Sequence, residues 1–366
     1  MAFFHCNNTK ILAVAATVPD DVEYTTDYIK YFDEAYVQKF ITSTGVERRY
    51  ASHRLGVTAS DLCCAAAEKI LTELKYDRNK IDALIFASSS RDYSMPVTAC
   101  ILQDRLQLSE ECMCYDVPLG CSAYVYGLYL ASSHINSGCR SVLLLAGSAG
   151  DQMPEWYVPT EIPMLFGNAG SATLIEYDEK APPLEGLLRT IGKDFEMLVS
   201  PYGGQRHPFW MMVEKYGLET AAALNNKFYM EGMDVMRFSL KEVVQMVKDF
   251  NAHFNIDYDN IDILACHQAN KLIITNLARK IKMPIEKIPL SIVGYGNTGC
   301  GSIPLAICEH YGDKQAGECS GEILACGFGI GLSLGIIKTQ VSPEQCFPVF
   351  GVKERYDDGI TIDKFS

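Results

Sequence analysis

Cys121 is the residue whose type and position best suit a nucleophile. It follows Gly120 and comes directly before a segment with helical periodicity, SAYVYGLYLASSHINSG. A cysteine at a helix N-terminus lies near the positive end of the helix dipole and beside free backbone N–H groups. Both features favour the thiolate, the nucleophilic form of cysteine. The alternative is a buried thiol without a chemical role, which is common in a chain that contains 14 cysteines.

His267 and Asn297 follow apolar runs in the second part of the chain. His267 ends the strand-like run DILACH, and Asn297 comes shortly after KIPLSIV. In open α/β sheets, ligands bind at the carboxyl ends of the strands, so we expect both side chains at such an edge. A single histidine in this position is more often structural. Three polar groups at the same kind of edge, with Cys121 as the third, favour a catalytic role.

The glycines around Asn297 raise a second possibility. The segment GYGNTGCGS contains the spacing G-x-G-x-x-G, formed by Gly294, Gly296 and Gly299. A dinucleotide-binding turn continues into an uninterrupted helix and then into a strand with an acidic residue at its carboxyl end. Here Pro304 restricts the start of the helix, and the next strand, EILACG, carries its glutamate at the beginning. The glycines are therefore predicted to present Asn297 to a site, not to hold a pyrophosphate.

Other cysteine chemistries fit the sequence less well. The order Cys, His, Asn is that of papain-like proteases, but the context LGCSAY lacks the C-G-[SA]-C-[WY] signature of that family. No C-x-x-C occurs: Cys112 and Cys114 form C-x-C, and Cys63 and Cys64 are adjacent. These spacings do not match a structural zinc site, so no metal is predicted.

Short β-branched or Leu-rich runs alternate with longer amphipathic segments, which predicts an α/β fold with strands buried on both faces. The order helix, buried strand, helix, Leu-rich strand occurs twice. Its strands are DALIFASSS and SVLLLAGSAG in the first occurrence, and DILACHQAN and EILACGFGIG in the second. We therefore predict two similar halves, residues 1–180 with the cysteine nucleophile and residues 181–340 with the histidine and asparagine. Residues 341–366 lose periodicity and are predicted to form a tail.

The composition indicates a globular protein that does not bind nucleic acid. The 366 residues are 48% hydrophobic and 21% charged, enough for one large unit or two domains. A net charge of −13 argues against binding to phosphate backbones. Cysteines within apolar runs suit a compartment that keeps thiols reduced, which predicts a cytoplasmic protein. The N-terminus lacks a signal-peptide pattern and no run of 18 apolar residues occurs, so no membrane span is predicted.

Several motifs together resemble the thiolase superfamily, and most closely β-ketoacyl-acyl-carrier-protein synthase III. They are DVPLGCSAYVYGL with Cys121, HQAN with His267, GNTG with Asn297, and GFGIGLSLG near the end. Further matches are TSTGVERRYAS, FGNAGSATL and MEGMDVMRFSL, and the resemblance covers roughly residues 8 to 340. It implies a layered α-β-α-β-α sandwich of two duplicated halves, and a homodimer.

The resemblance also implies a reaction and a role for each site residue. Cys121 would take an acyl group from a thioester of coenzyme A or acyl carrier protein, and the backbone N–H groups of Cys121 and Ile330 would hold the oxyanion. A malonyl thioester would then lose carbon dioxide, and His267 and Asn297 would stabilise the enolate that attacks the acyl-enzyme. This chemistry needs no cofactor, and it would serve fatty-acid or related lipid or polyketide synthesis.

The chain departs from the family pattern at residues that bind coenzyme A. Lys39 and Ser43 stand where the family has a tryptophan and an arginine that stack on the adenine. Their absence favours an acyl chain delivered by carrier protein, or a starter other than acetyl. Met95 occupies the position that lines the partner subunit's acyl pocket in the family, and related enzymes that condense two chains without decarboxylation have a glutamate there. Methionine thus favours the decarboxylative route.

A basic helix follows the HQAN motif. Lys271, Arg279, Lys280 and Lys282 lie on it, in a protein whose net charge is −13. Such a cluster suits the docking of an acidic acyl carrier protein. A solvated helix face without a partner is an equally good interpretation of these residues.

Two other functions remain open at this point. An acyltransferase of the same fold would keep the cysteine but omit condensation, and a non-catalytic partner subunit would normally lose the cysteine. The length of the starter chain, the choice between coenzyme A and carrier protein, and the pathway are not determined by the sequence.

Overall fold

A computed structural model of the chain describes residues 2–150, 161–225, 227–315, 317 and 319–361. Fifteen strands occur within these residues: β1 Ala2–Cys6, β2 Thr9–Pro19, β3 Val22–Tyr24, β4 Arg48–Tyr50, β5 Ala83–Ala87, β6 Met113–Val117, β7 Ser141–Ala146, β8 Gly170–Tyr177, β9 Leu184–Thr190, β10 Leu198–Val199, β11 Tyr229–Met230, β12 Ile263–Cys266, β13 Glu322–Gly329, β14 Ser333–Gln340 and β15 Phe350–Val352.

Twelve α-helices connect and cover the strands in the described part of the chain. They are α1 Glu34–Thr44, α2 Ala59–Glu73, α3 Thr98–Arg105, α4 Ala123–Asn136, α5 Glu161–Leu165, α6 Phe209–Tyr216, α7 Leu218–Leu224, α8 Gly232–Phe238, α9 Val244–Phe254, α10 Lys271–Ile281, α11 Ile292–Tyr295 and α12 Ser302–Tyr311. A π-helical turn, Ser239–Val243, joins α8 to α9.

Side-chain caps explain where helices α2 and α10 begin. At α2, Thr58 Oγ1 accepts a hydrogen bond from Asp61 N at 3.2 Å, while Thr58 N donates to Asp61 Oδ2 at 3.0 Å. This reciprocal arrangement, a capping box, satisfies two backbone N–H groups at the start of the helix. At α10, Asn270 Oδ1 accepts from Ile273 N at 2.7 Å. Such caps each contribute roughly 1 kcal/mol of helix stability.

Two sheets form the framework. The six-stranded sheet has the order β15-β2-β8-β7-β5-β6, with β5 parallel to both β6 and β7. The five-stranded sheet has the order β1-β9-β14-β13-β12, with β12 parallel to β13. Two small antiparallel pairs, β3 with β4 and β10 with β11, lie outside them.

The helices form three layers around the two sheets. Residues of α4 and α12 pack in one apolar cluster with side chains from both sheets, so these two helices form the central layer. A second cluster joins α2 and α3 to the other face of the six-stranded sheet. A third joins α9 and α10 to the outer face of the five-stranded sheet. The predicted α-β-α-β-α sandwich is confirmed.

Each end of the chain adds a strand to the sheet of the other predicted half. Strand β1 pairs with β9 in the five-stranded sheet, although its residues belong to the predicted first half. Strand β15 pairs in parallel with β2 of the six-stranded sheet, so the segment predicted as a tail contributes a strand to the first half. Three paired residues carry no readable periodicity, which is why the sequence did not indicate β15. The division at residue 180 stays a prediction.

Within the described residues, no helix is long and apolar enough to cross a membrane.

Candidate active site

Cys121 lies at the N-terminal turn of α4, where Ala123 N donates to Gly120 O at 2.8 Å. The segment after β13 approaches it closely. A Cβ atom on Gly329 would lie 2.9 Å from Cys121 Cβ and 3.2 Å from its Sγ, and one on Gly120 would lie 2.9 Å from Ile330 Cδ1. A side chain at Gly329 would push the end of β13 away from Cys121, and one at Gly120 would collide with the Ile330 side chain. The glycines therefore permit the approach that an oxyanion hole at this point requires.

His267 follows β12 and is buried, with 3% of its surface exposed. Its backbone N donates to Cys326 O at 2.8 Å, and its ring packs edge-on against Phe328. Ser302 Oγ lies 3.0 Å from His267 Nδ1 and 2.7 Å from Gly299 O, so this hydroxyl can donate to either atom. Burial lowers the pKa of His267 to about 3, because the imidazolium loses its hydration. The imidazole is therefore neutral at physiological pH.

Asn297 is fixed by hydrogen bonds from both its backbone and its side chain. Asn297 N donates to Leu165 O at 2.8 Å, and Gly167 N donates to Asn297 O at 3.0 Å. Asn297 Oδ1 accepts from Gly299 N at 3.1 Å, which identifies the other end of the amide as Nδ2. None of the described residues accepts a hydrogen bond from Nδ2. A donor is thus available for a bound group.

A single cavity of about 490 Å³ brings these residues together. Cys121, His267, Asn297 and Ile330 all line it, and its volume lies in the range of small-molecule sites. The remaining wall is largely apolar, which suits a hydrocarbon chain; the apolar lining residues are Leu165, Phe166, Leu198, Phe228, Met230, Val235, Phe238, Ile273 and Phe328.

The Cys121 thiol is neutral in this environment. Burial raises the pKa of Cys121 to about 12, because a thiolate in this cavity would lose its hydration. Burial thus opposes the effect expected from the helix N-terminus: the dipole at the start of α4 favours the thiolate, whereas loss of hydration favours the neutral thiol. The nucleophile must lose its proton during the reaction.

A buried ion pair supports the loop that holds Asn297. Arg49 Nη2 donates to Glu23 Oε2 at 2.6 Å and to Tyr28 Oη at 3.0 Å, and Arg49 Nη1 donates to Phe166 O at 2.8 Å. Phe166 forms an isolated β-bridge with Asn297. Arg49 thus links the motif TSTGVERRYAS to FGNAGSATL, and through it to the asparagine. Sequence reasoning matched both motifs to the family but did not assign this function.

The predicted docking residues lie at the surface. Lys271, Arg279, Lys280 and Lys282 are all exposed on or just after α10, and the residue before this helix, Asn270, lines the cavity. Arg279 also bonds to Asn276 Oδ1, and Lys280 Nζ donates to Leu240 O.

Three other residues singled out from the sequence are exposed. Lys39 and Ser43 lie on α1. Met95 is 85% exposed and is not among the lining residues of this chain's own cavity. The role expected for Met95, in the acyl pocket of a partner subunit, stays a prediction. Across the described residues, no group of three or more His, Cys, Asp or Glu side chains could hold a metal ion.

The layered fold and a Cys-His-Asn cavity at the junction of its halves define a thiolase-type protein, and comparisons with known proteins specify the family. Residues 115–190 match the family model for 3-oxoacyl-[acyl-carrier-protein] synthase III, and residues 252–340 match the model for its C-terminal part. A β-ketoacyl-[acyl-carrier-protein] synthase III of Streptococcus equi subsp. equi is 30% identical over 336 residues, covering 91% of this chain and 99% of the relative. The chain belongs to the β-ketoacyl-acyl-carrier-protein synthase III family, as its motifs predicted.

Other relatives agree with this assignment. The synthase III of Latilactobacillus sakei is 29% identical over 332 residues, covering 89% of this chain and 98% of the relative. The crystal structure of a 3-oxoacyl-(acyl-carrier protein) synthase from Burkholderia xenovorans superposes with a TM-score of 0.86 at 29% identity, covering 96% of this chain and 99% of the other. A priming β-ketosynthase of the R1128 polyketide pathway, at 19% identity and a TM-score of 0.79, shares the fold.

The raised pKa of Cys121 predicts how its reactivity depends on pH. The thiolate fraction should grow about tenfold per pH unit, so alkylation of Cys121 by iodoacetamide should keep accelerating from pH 7 to pH 10. Peptide-level mass spectrometry would give the rate for this cysteine alone, and a small-molecule thiol, whose rate levels off near pH 8.5, is the reference. A plateau in the Cys121 rate below pH 8 would show that the resting thiolate is already formed.

Proposed function

We propose that the chain is a synthase III-type condensing enzyme. It transfers an acyl group from a thioester to Cys121 and then joins that group to the carbanion formed when a malonyl thioester loses carbon dioxide. The observation that carries this proposal is the meeting of Cys121, His267 and Asn297 in one largely apolar cavity. The names of the relatives and the family models support it, since they refer to the same synthase.

In the first step, Cys121 Sγ attacks the thioester carbonyl and the bond to the departing thiol breaks. The cysteine proton leaves with that thiol, so charge and atoms balance. The tetrahedral oxyanion would be held by the backbone N–H groups of Cys121 and Ile330. The close approach of Gly329 to the cysteine supports this role, because Ile330 is the next residue along the chain. A single donor of this kind contributes about 3 to 4 kcal/mol in the transition state.

In the second step, the malonyl carboxylate leaves as carbon dioxide and its bonding electrons pass to an enolate. Asn297 Nδ2 donates to the enolate oxygen. His267 donates from Nε2 when Ser302 donates to Nδ1. A neutral histidine suits this role, because it stabilises the developing charge without first forming an ion pair with the malonyl carboxylate. The enolate carbon then attacks the acyl carbonyl on Cys121, and the new C–C bond forms as the C–S bond to the cysteine breaks. The cysteine leaves as a thiolate and takes a proton from water to regenerate the resting thiol.

The two alternative functions fit the site less well. An acyltransferase without condensation has no need of two donors for an enolate, and both His267 and Asn297 line the cavity. A non-catalytic subunit has no need of a cysteine in the cavity.

No cofactor takes part in the proposed reaction. All 14 cysteines are free thiols, which supports the predicted cytoplasmic location.

We also propose acyl carrier protein as the partner that delivers one or both thioesters, with a homodimer as the active form. The exposed basic residues of α10 would contact the carrier protein. Their helix begins at the cavity, so a carrier protein docked there has a short path for its pantetheine arm. The side-chain contact of Lys280 with Leu240 O makes that lysine partly structural, which leaves Lys271, Arg279 and Lys282 as the more available charges.

The test of the proposed function follows the acyl group by mass spectrometry. The protein is incubated with acyl thioesters of coenzyme A and of carrier protein, and then with malonyl-carrier protein. We expect an acyl adduct on Cys121 that malonyl-carrier protein discharges as a β-ketoacyl product. Discharge only to an amine or alcohol would indicate the simple acyltransferase. Absence of an adduct with every donor would indicate the non-catalytic subunit.

Replacing Asn297 should separate the two half-reactions. Asn297→Ala removes the Nδ2 donor, so decarboxylation of the malonyl thioester should slow by roughly a hundredfold or more while acylation of Cys121 stays largely intact. Rapid-quench measurement of each half-reaction gives the comparison. Asn136→Ala, at the far end of α4, is the matched control and should change neither rate. Equal slowing of both half-reactions by Asn297→Ala would contradict the assigned role.

The carrier-protein surface has its own test. Arg279→Glu should raise the KM for malonyl-carrier protein roughly fivefold, the effect of about 1 kcal/mol from one exposed charge pair. The KM for malonyl-coenzyme A should not change, since the substitution lies outside the cavity. Lys80→Glu makes the same change in charge at an exposed residue of the first half and should leave both values unaltered. Equal KM changes from the two variants would show that only net charge matters.

A further inference from the structure

A second cavity adjoins the catalytic cavity and shares part of its wall. It has a volume of about 470 Å³, and Ser89, Ser90 and Gly150 line both spaces. The second cavity is polar where the first is apolar, with Arg91, Arg105 and Arg355 among its lining residues. Residues 88–93, here called the partition loop, therefore limit the extent of the catalytic cavity on this side.

The partition loop is held from within by hydrogen bonds at its start, its middle and its end. Ser88 Oγ donates to Gly147 O at 2.7 Å, and Ser90 N donates to Ser88 Oγ at 2.9 Å. Asp92 N donates to Thr98 Oγ1 at 3.2 Å. Ala149 N donates to Ser90 Oγ at 3.4 Å. These contacts secure the loop at Ser88, Ser90 and Asp92.

A series of side-chain contacts that begins at Asp92 holds the side of the partition loop that faces away from the catalytic cavity. Asp92 Oδ2 accepts from Ser60 Oγ at 2.7 Å, and Ser60 Oγ accepts from Arg105 Nη1 at 3.1 Å. Arg105 Nη2 also donates to Asp61 Oδ1 at 2.8 Å, in an ion pair whose side chains are 10% and 3% exposed. Because this pair is buried, its geometry is well defined, and the position of Arg105 bears directly on Asp92.

The C-terminal segment, residues 353–361, completes this arrangement. The Tyr356 ring lies 4.2 Å from Arg105 Cζ, in a cation–π contact, and Tyr356 N donates to Asp61 Oδ1 at 3.3 Å. Tyr93, in the partition loop, donates from its hydroxyl to Asp358. The segment thus contacts the partition loop directly through Asp358 and indirectly through Tyr356, on the side away from the catalytic cavity.

We propose that the C-terminal segment, through Tyr356 and Asp358, holds the partition loop in place and so limits the length of the acyl chain that the cavity accepts. Tyr356 and Asp358 are then positioning residues that determine specificity. This inference rests on the proposed function, since it concerns the acyl group carried by Cys121. Without these contacts the loop loses its restraint on the side of the second cavity, and displacement toward that cavity increases the space available to a long chain.

The experiment compares long and short chains at Cys121 in the full-length protein. The variants are Tyr356→Ala and Asp358→Ala, and Asp357→Ala is the matched control, since the Asp357 carboxylate accepts from Gly359 N within its own segment. Cys121 is labelled with N-decylmaleimide and N-ethylmaleimide, and separately with long and short acyl thioesters. Mass spectrometry of the Cys121 peptide gives the ratio of long-chain to short-chain rates.

We expect this ratio to rise on the order of tenfold in both variants, the scale of discrimination that one methylene gives in an apolar pocket, and to stay at the wild-type value in the control. A lower melting temperature with an unchanged ratio would show that the segment is only structural, and it would overturn the inference. The maleimide ratio needs no thioester chemistry. A shifted maleimide ratio without any acyl adduct would therefore support the role of the segment while overturning the proposed condensing function.

Discussion

The site depends on how closely the N-terminal turn of α4 packs against β13 and β14. Three glycines make this contact possible: a Cβ on Gly327 would lie 3.0 Å from Ser122 Cα, one on Gly335 would lie 3.0 Å from Val125 Cγ2, and the approach of Gly329 to Cys121 is closer still. Ser122 and Ser333 then share a 2.6 Å hydrogen bond across the junction. The nucleophile belongs to the first half and its proposed partners to the second, so this contact determines whether they meet. A side chain at Gly327 or Gly329 would push β13 away from Cys121 and Ser122.

The same close packing determines the charge state of the site. Burial raises the pKa of Cys121 and lowers that of His267, so both groups are neutral at rest. A preformed thiolate and imidazolium pair would be a strong nucleophile but also a stable ground state. A neutral thiol and a neutral imidazole do not stabilise the ground state in this way. The proposed donors at Ile330 and Asn297 interact with negative charge only as it develops during the reaction. Stabilisation that appears in the transition state and not before it is the kind that accelerates the reaction.

Much of this arrangement could be predicted from the sequence, because its main signals are local. Cys121 stands between a strand and a helix, and His267 ends an apolar run, so pattern alone placed them at sheet edges, and the layered fold followed from the alternation and the resemblance. The protonation state of Cys121 could not be predicted, since it depends on residues more than two hundred positions away along the chain. The contact of Arg49 with Phe166 and the pairing of β15 with β2 were also missed. Each joins residues far apart along the chain, and neither leaves a periodic or compositional signal.

The G-x-G-x-x-G spacing around Asn297 shows why a glycine pattern needs its structural context. Gly296 and Gly299 have φ values of +69° and +56°, a backbone region that other residues adopt only with strain. A Cβ on Gly296 would also lie 3.1 Å from both Gly167 N and Leu165 O, the loop to which Asn297 is bonded. The glycines therefore allow one tight turn against a neighbouring loop, and the turn directs Gly299 N to Asn297 Oδ1. In a dinucleotide site the same freedom brings backbone N–H groups to a phosphate; here it orients one carboxamide, and the difference lies in what surrounds the turn.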